Sequence, residues 1–331
     1  MTSTAPLVTI FGGSGFIGRY ITRRMAKLGW RVRVAVRRPN EALFVKTYGD
    51  VGQVEPVQAN IRDEASTRRA VHGAAAVVTS VGVLYPDARQ SFEAVQAQGA
   101  GRVARLAAEA GAERLVHISA IGADPASDSA YARTKAEGEA LVLQAFPKAV
   151  ILRPSIVFGF EDSFFNRFAA MARLSPVLPV VGAGARFQPV YVDDVAAAAE
   201  KVLTGEAQGI YELGGPEVAT FGELMRRMLT VIKRRRLILP LPFWLARIQA
   251  GMLDAMQMAS FGLLPNRMLT RDQVRLLARD TVVAPGARGF AELGIEPTPM
   301  DAVLESYLYA YRPYGQYSKI TNSARDMRSK G

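Results

Sequence analysis

Over the first 160 residues, short apolar runs alternate with longer stretches in which apolar side chains recur every three or four positions. LVTIF at 7–11, RVRVAV at 31–36, a run from Val54 to Ala59, AAAVVTSVG at 74–82, ERLVHIS at 113–119 and a run closing at Leu152 each have the length and β-branched content of a strand. The segments between them have helical period. Strands separated in this way are joined by crossovers rather than hairpins, so the pattern predicts an α/β fold built on a doubly wound parallel sheet. No internal repeat, low-complexity tract or obvious linker interrupts it.

With 331 residues and 49% hydrophobic content, the chain is long enough for one large α/β domain with an appended lobe. It has no cysteine, which excludes disulfides, thiolate-held clusters and thiol nucleophiles. Its two histidines, His72 and His117, are too few for a histidine-based metal site, and no metal centre is expected. The N-terminus, MTSTAPLVTIF, has neither the layout of a secretory signal nor that of an Arg-rich transit segment, and reads as a non-exported start. The net charge of +11 calls for an anionic partner.

The first strand runs into FGGSGFIG and then a helix. Gly12 permits a tight turn, Gly15 lets backbone amides approach a pyrophosphate, and Gly18 allows the helix to pack closely on the strand. The amides of Phe16 and Ile17 open the helix toward the anion. The second strand ends at Arg37 and Arg38, and no Asp or Glu occurs between Gly12 and Asn40. A ribose 2′-phosphate requires a cation at this place, so the pattern predicts NADP(H), with Arg37 as first choice for the phosphate. The alternative is that both arginines are solvated loop residues. Asn60, Ile61, Val81 and Gly82, at the carboxyl ends of the next strands, are expected to line the adenine and ribose groove.

Tyr131 and Lys135, in YARTK, lie one helical turn apart and face one direction. In a reductase of this design a tyrosine hydroxyl exchanges a proton with substrate, while the lysine stabilises its ionised form and holds the nicotinamide ribose. GGSGFIG, YARTK and FQPVYVDDVA at 187–196 together resemble the extended, epimerase-like branch of the short-chain dehydrogenase/reductase superfamily. The resemblance implies a Rossmann-type sheet. It also implies a catalytic hydroxyl at the second position of a serine pair, which here reads Ser119 and then Ala120. Ala120 would remove the hydroxyl, so no catalytic residues are expected. Tyr131, Lys135 and Ser119 stay as vestigial candidates that could still anchor the ribose, and the superfamily pattern adds Pro154 and Ile156 beside the nicotinamide ring.

ILRPSIVFGFEDSFFNRFA at 151–169, YELGGPEVATFGELM at 211–225 and LTRDQVRLLARDTVV at 269–283 keep the order and character of a narrower group. The chain is similar to the nucleotide-binding accessory subunits of respiratory complex I, the alpha subcomplex subunit 9 family. That likeness implies a tightly held, structural NADPH, no independent turnover, and attachment to other complex I subunits of the peripheral and membrane arms. It also implies a peripheral position on the cytoplasmic side of a bacterial inner membrane, or on the matrix side if organellar. The rival reading is an active NADPH-dependent reductase or sugar-nucleotide epimerase using Tyr131 and Lys135.

Between Leu224 and Leu253 there is no acidic residue, while Arg226, Arg227, Lys233, Arg234, Arg235, Arg236 and Arg247 are all basic. Trp244, Ile248, Met252, Ala255 and Met256 follow at helical spacing. Cations beside an aromatic and methionine-rich helix suit an anionic membrane surface, reached through the region from Arg226 to Met258. A solvated basic face is the plain alternative, and no nucleic-acid motif accompanies the patch. The apolar run LILPLPFWLA is short and broken by Pro240 and Pro242, so the chain is expected to touch a membrane without crossing it. The pattern thus divides into residues 5–158 with 187–215 as an NADP(H)-binding domain, 159–186 and 216–312 as a smaller mixed C-terminal lobe, and 313–331 as an extended tail.

Overall fold

In the computed structural model, which describes residues 5–83, 91–248, 250–251, 270–313 and 315, each apolar run of the first half becomes a strand. These are β1 (Leu7–Phe11), β2 (Arg31–Val36), β3 (Val54–Gln58), β4 (Ala76–Thr79), β5 (Arg114–Ile118) and β6 (Val150–Pro154). The sixth runs two residues past Leu152, because Gly209–Leu213 pairs with it along its whole length. The intervening helices are α1 (Phe16–Lys27), α2 (Glu64–Val71), α3 (Gln98–Glu109) and α4 (Ala130–Ala145). Beyond β6 come β7 (Val157–Phe158), α5 (Phe165–Leu174), β8 (Val177–Val181), β9 (Arg186–Phe187), β10 (Val190–Tyr191), α6 (Val192–Thr204) and β11 (Gly209–Leu213). The described chain continues with β12 (Ala219–Thr220), α7 (Phe221–Val231), β13 (Leu237–Leu241), α8 (Arg271–Leu276) and α9 (Met300–Leu308).

The main sheet has seven parallel strands in the order β11-β6-β5-β4-β1-β2-β3. It is a Rossmann-like doubly wound sheet, and the order reverses between β1 and β4, where open α/β sheets place their ligand crevice. Alternation along the strands divides the core in two. Val8, Ile10, Val78, Val116, Ile118 and Leu152 pack under α1 and α6, whereas Phe11, Val77, Leu115 and Ile151 pack under α2, α3 and α4. Being covered on both faces is what makes these strands almost wholly apolar.

A third cluster builds the smaller lobe from α5, β8, α7 and α9. Phe165, at the start of the aromatic stretch 164–168, is fully buried there, so that stripe is core. Asp162, just ahead of α5, accepts from the Asn166 amide at 3.0 Å and also from the Gly159 amide and the Tyr307 hydroxyl. Among the described residues no helix is long and apolar enough to cross a membrane.

The basic window is less free than its sequence suggests. Arg227 pairs with Glu217, Arg234 donates to the Tyr311 carbonyl, and Arg236 donates to the Ala172 carbonyl. Arg226, Lys233, Arg235 and Arg247 remain exposed, beside exposed Leu237, Leu239, Trp244, Leu245 and Ile248. Residues 243–248 are helical, as the spacing of Trp244 and Ile248 predicts. Met252, Ala255 and Met256, and the tail from 316 on, lie outside the described residues.

Helix α1 seats on β1 only because Gly18 lacks a side chain: a Cβ there would stand 2.1 Å from the Gly12 carbonyl oxygen. Gly18→Ala must therefore push the helix off the turn, and urea unfolding is expected to show a loss of about 3 kcal/mol, the upper range for overpacking. Wild-type stability in this variant would show that the contact does not constrain the fold.

Candidate functional site

The loop after β1 is built to turn its amides outward. Gly12 has φ +79°, a left-handed conformation that its amide locks by donating to the Ala35 carbonyl at 3.0 Å. Gly15, which precedes α1, donates to the Gly12 carbonyl at 2.8 Å. Carbonyls of the loop are drawn to the other side: Thr22 Oγ1 donates to Gly13 O, and Arg19 donates to Ser14 O and Gly15 O. No side chain caps α1, and its first turn holds no acid. Backbone donors at 16–18 thus keep the unsatisfied character of a helix N-terminus, which suits an anion. Phe16 meanwhile packs against Tyr20 and Gly159, and Ile17 against the core.

Arg19 was not among the residues singled out from sequence. It also pairs with Glu161 at 3.1 Å and lies over the Phe44 ring. An arginine in a first helical turn, where the dipole favours acids, was the available signal.

The other residues picked from sequence lie just beyond the carboxyl ends of adjacent strands. Arg37 and Arg38 follow β2 and are exposed, and Arg38 pairs with Glu41 at 2.9 Å. Asn60 follows β3, and its side chain accepts from the Arg62 amide. Ile61 is buried against Gly99 of α3. Val81 and Gly82 follow β4; the Val81 side chain lies against Gly12, and Gly82 lies against Lys135 Nζ. Pro154 closes β6, and the Ile156 carbonyl accepts from the Val190 amide at 2.9 Å.

Helix α4 carries a polar column at one-turn intervals. Tyr131 stacks edge-on against Phe92 with ring centroids 5.9 Å apart, and burial pushes its hydroxyl up to about 12. It is therefore a neutral phenol at physiological pH. Lys135 is buried, donates to the Ile118 carbonyl at 3.1 Å and is pushed down to about 8 by burial, with Glu139 opposing the shift.

Glu139 is buried as well. It accepts a fork from Arg153, at 2.9 Å from Nε and 2.6 Å from Nη2, and a short hydrogen bond from the Ser119 hydroxyl. Ser119 thus points at Glu139 rather than at the groove, and Ala120 has no hydroxyl to replace it. Beneath Lys135, the buried His117 bonds Thr79 through Nδ1; its Nε2 has no partner, and burial followed by the nearby Lys135 charge pushes it down to about 3. Among the described residues, no cluster of His, Asp or Glu could hold a metal ion.

The smaller lobe reaches this helix through one carboxylate. Asp272 of α8 accepts from the Ser129 hydroxyl at 2.8 Å, the Ala130 amide at 2.7 Å and the Tyr131 amide at 3.2 Å. Glu139, Arg153 and Asp272 were also not singled out from sequence.

Comparisons with known proteins agree with this fold. Residues 8–214 match the NAD dependent epimerase/dehydratase family. The chain is 35% identical over 316 residues to an Arabidopsis thaliana protein named NADH dehydrogenase [ubiquinone] 1 alpha subcomplex subunit 9, mitochondrial, covering 93% of this chain and 79% of the relative. It is 32% identical to the Neurospora crassa NADH-ubiquinone oxidoreductase 40 kDa subunit, covering 93% and 80%. Among solved structures, a Thermus thermophilus UDP-glucose 4-epimerase complex with NAD superposes with a TM-score of 0.66 at 20% identity, over 93% of this chain and 99% of that one.

The two buried groups on α4 imply opposite pH effects. Lys135 titrates near 8 when folded and at 10.5 when unfolded, so between these values the unfolded chain binds more protons and stability rises with pH. Above pH 10 the raised Tyr131 reverses the sign, because the unfolded phenol ionises first. Unfolding free energies from urea titrations are expected to gain roughly 2–3 kcal/mol from pH 8 to 10, and Lys135→Met is expected to flatten that slope. An unchanged slope in the variant would place the titration elsewhere.

Proposed function

We propose, on the premise that the chain belongs to the NAD dependent epimerase/dehydratase family and, within it, to the alpha subcomplex subunit 9 family, that it is a non-catalytic, NADPH-holding accessory subunit of a respiratory complex I. The observation that carries the assembly reading is the extent of the likeness, 35% identity over 93% of the chain to a protein of that name. The observation that favours holding over turnover is local. The hydroxyl that stands beside Ala120 in the superfamily pattern, that of Ser119, is committed to a buried carboxylate.

In this reading the amides of Phe16, Ile17 and Gly18 receive the pyrophosphate, and Gly12 and Gly15 supply the space. Arg37 takes the 2′-phosphate, flanked by Arg38, while Asn60, Ile61, Val81 and Gly82 line the adenosine side. Tyr131 and Lys135 hold the nicotinamide ribose as a phenol and an ammonium, with Ser119 steadying Glu139 behind them. Pro154 and Ile156 border the ring. The nucleotide supplies hydride chemistry in enzymes of this fold; here it acts as a structural ligand, stabilising the folded chain by mass action.

The subunit lies peripherally on the cytoplasmic side of a bacterial inner membrane, or on the matrix side of an organellar one, between the peripheral and membrane arms. The exposed cations Lys233, Arg235 and Arg247 beside Trp244 and Ile248 support contact with anionic lipid there.

Two measurements test this. Titration of the purified chain should show NADPH bound more tightly than NADH, with Arg37→Ala weakening NADPH about tenfold, the ~1.4 kcal/mol of one charge-assisted contact. Tighter NADH binding would reject the phosphate assignment. Gentle detergent extraction followed by native separation should show the chain migrating with a large membrane complex that oxidises NADH. Migration as a free protein, or NADPH oxidation with a carbonyl substrate that Tyr131→Phe abolishes, would replace the subunit reading with the reductase one.

A further inference from the structure

Helix α8 lies between two surfaces with different partners. Its polar side grips the segment that leads into α4. Asp272 receives the Ser129 hydroxyl and the first two amides of that helix. Arg275 donates to the Asp128 carbonyl at 2.9 Å, and Arg279, just past α8, reaches Ser127, Asp128 and Asp124. Its apolar side holds the exposed helical segment of the smaller lobe. Val274 is buried with Ala246, Ala250 and Val181, and Leu241, Phe243 and Leu277 pack around them. The Arg271 guanidinium lies against Gly251, where a Cβ would come within 2.5 Å of Nη2. That same segment presents Trp244, Leu245, Arg247 and Ile248 outward.

A carboxylate on helix amides is a charge-assisted cap, stabilising only while the two elements keep their spacing. Tyr131 is one of the residues it holds, and Lys135 sits one turn further along. Whatever moves α8 therefore moves the pair assigned to the nicotinamide ribose.

We propose that α8 is a coupling element and Asp272 its positioning residue: nucleotide occupancy at the Tyr131–Lys135 helix is linked through them to the state of the apolar, basic surface around Trp244. The inference rests on the nucleotide reading above and extends it to regulation. By reciprocity, binding of an anionic membrane at that surface tightens the nucleotide by the factor by which the nucleotide tightens the membrane contact.

Amide hydrogen exchange on the full chain, with and without saturating NADPH, reads the link directly. NADPH is expected to slow exchange at 12–20 and 124–135, and also at 271–279 and 243–248, which the groove does not include. In Asp272→Ala, NADPH is expected to bind about tenfold more weakly. At saturation it should still protect 12–20 while losing the remote protection, and Asp272→Asn, which keeps an acceptor, should recover part of both.

Protection at 12–20 and 124–135 with none at 271–279 in the wild type would overturn the coupling and leave the nucleotide reading intact. Remote protection that survives in Asp272→Ala would also overturn it. No protection anywhere would reject NADPH binding itself, and the coupling with it. Should Asp272→Ala not fold, the wild-type pattern together with Asp272→Asn decides.

Discussion

The approach of α1 to the turn after β1 is the constraint on which the rest of this molecule depends. Helix and turn meet with no side chain between them, Gly18 lying where a Cβ would collide with the Gly12 carbonyl. That contact sets the axis of α1, and α1 in turn packs on α6 over one whole face of the sheet. It also fixes where the first-turn amides point. The left-handed Gly12, pressed against the Ser80 carbonyl, transmits the same geometry to the loop after β4, so that the two strands flanking the reversal of sheet order are locked at the rim.

The second constraint is electrostatic and lies in α4. A helix that buries Lys135 and Glu139 one turn apart must satisfy both, because an unpaired buried charge costs several kcal/mol. Attraction between the two is one contribution, and the remainder comes from the sheet: the Ile118 carbonyl for the ammonium, and Arg153 and Ser119 for the carboxylate. Ser119 is consumed in that arrangement. A chain retaining the Tyr131 and Lys135 positions can therefore lose the hydroxyl that steadies a reacting oxygen and still need the neighbouring serine, for packing rather than chemistry.

Much of this was legible in the residues. Period and length marked the six strands of the first half, the spaced glycines located the close turn between β1 and α1, and the four-residue interval placed Tyr131 and Lys135 on one face of a helix. Strand ends were misjudged by a residue or two, since pairing with a distant strand, as of β6 with β11, decides them. Glu139 and Arg153 escaped because nothing local distinguishes them from a solvated pair until the sheet brings them together. Asp272 escaped for a sharper reason. Its partners lie more than 140 positions away, and the segment that carries it was informative only as a likeness. The exposure of the 224–253 window was not legible, because a count of cations does not show that Arg227, Arg234 and Arg236 are bonded inside the lobe.

The carboxylates at the rim set the N-terminus of α1 apart from those of α2 and α4 among the described residues. Helices α1, α2 and α4 all begin beyond the carboxyl ends of strands, and each N-terminus would favour negative charge. In α2 the charge is Asp63, which accepts from the Ser66 amide, and in α4 it is Asp272. In α1 no carboxylate arrives: Glu161 comes close but is held on Arg19 and Tyr20, so it braces the loop without occupying the amides. Of these three helix ends, two meet acids of the chain, and that of α1 meets none among the described residues. That third end lies where the strand order reverses and where Gly12 and Gly15 leave room for phosphate. An anion bound there would complete the electrostatics of the rim.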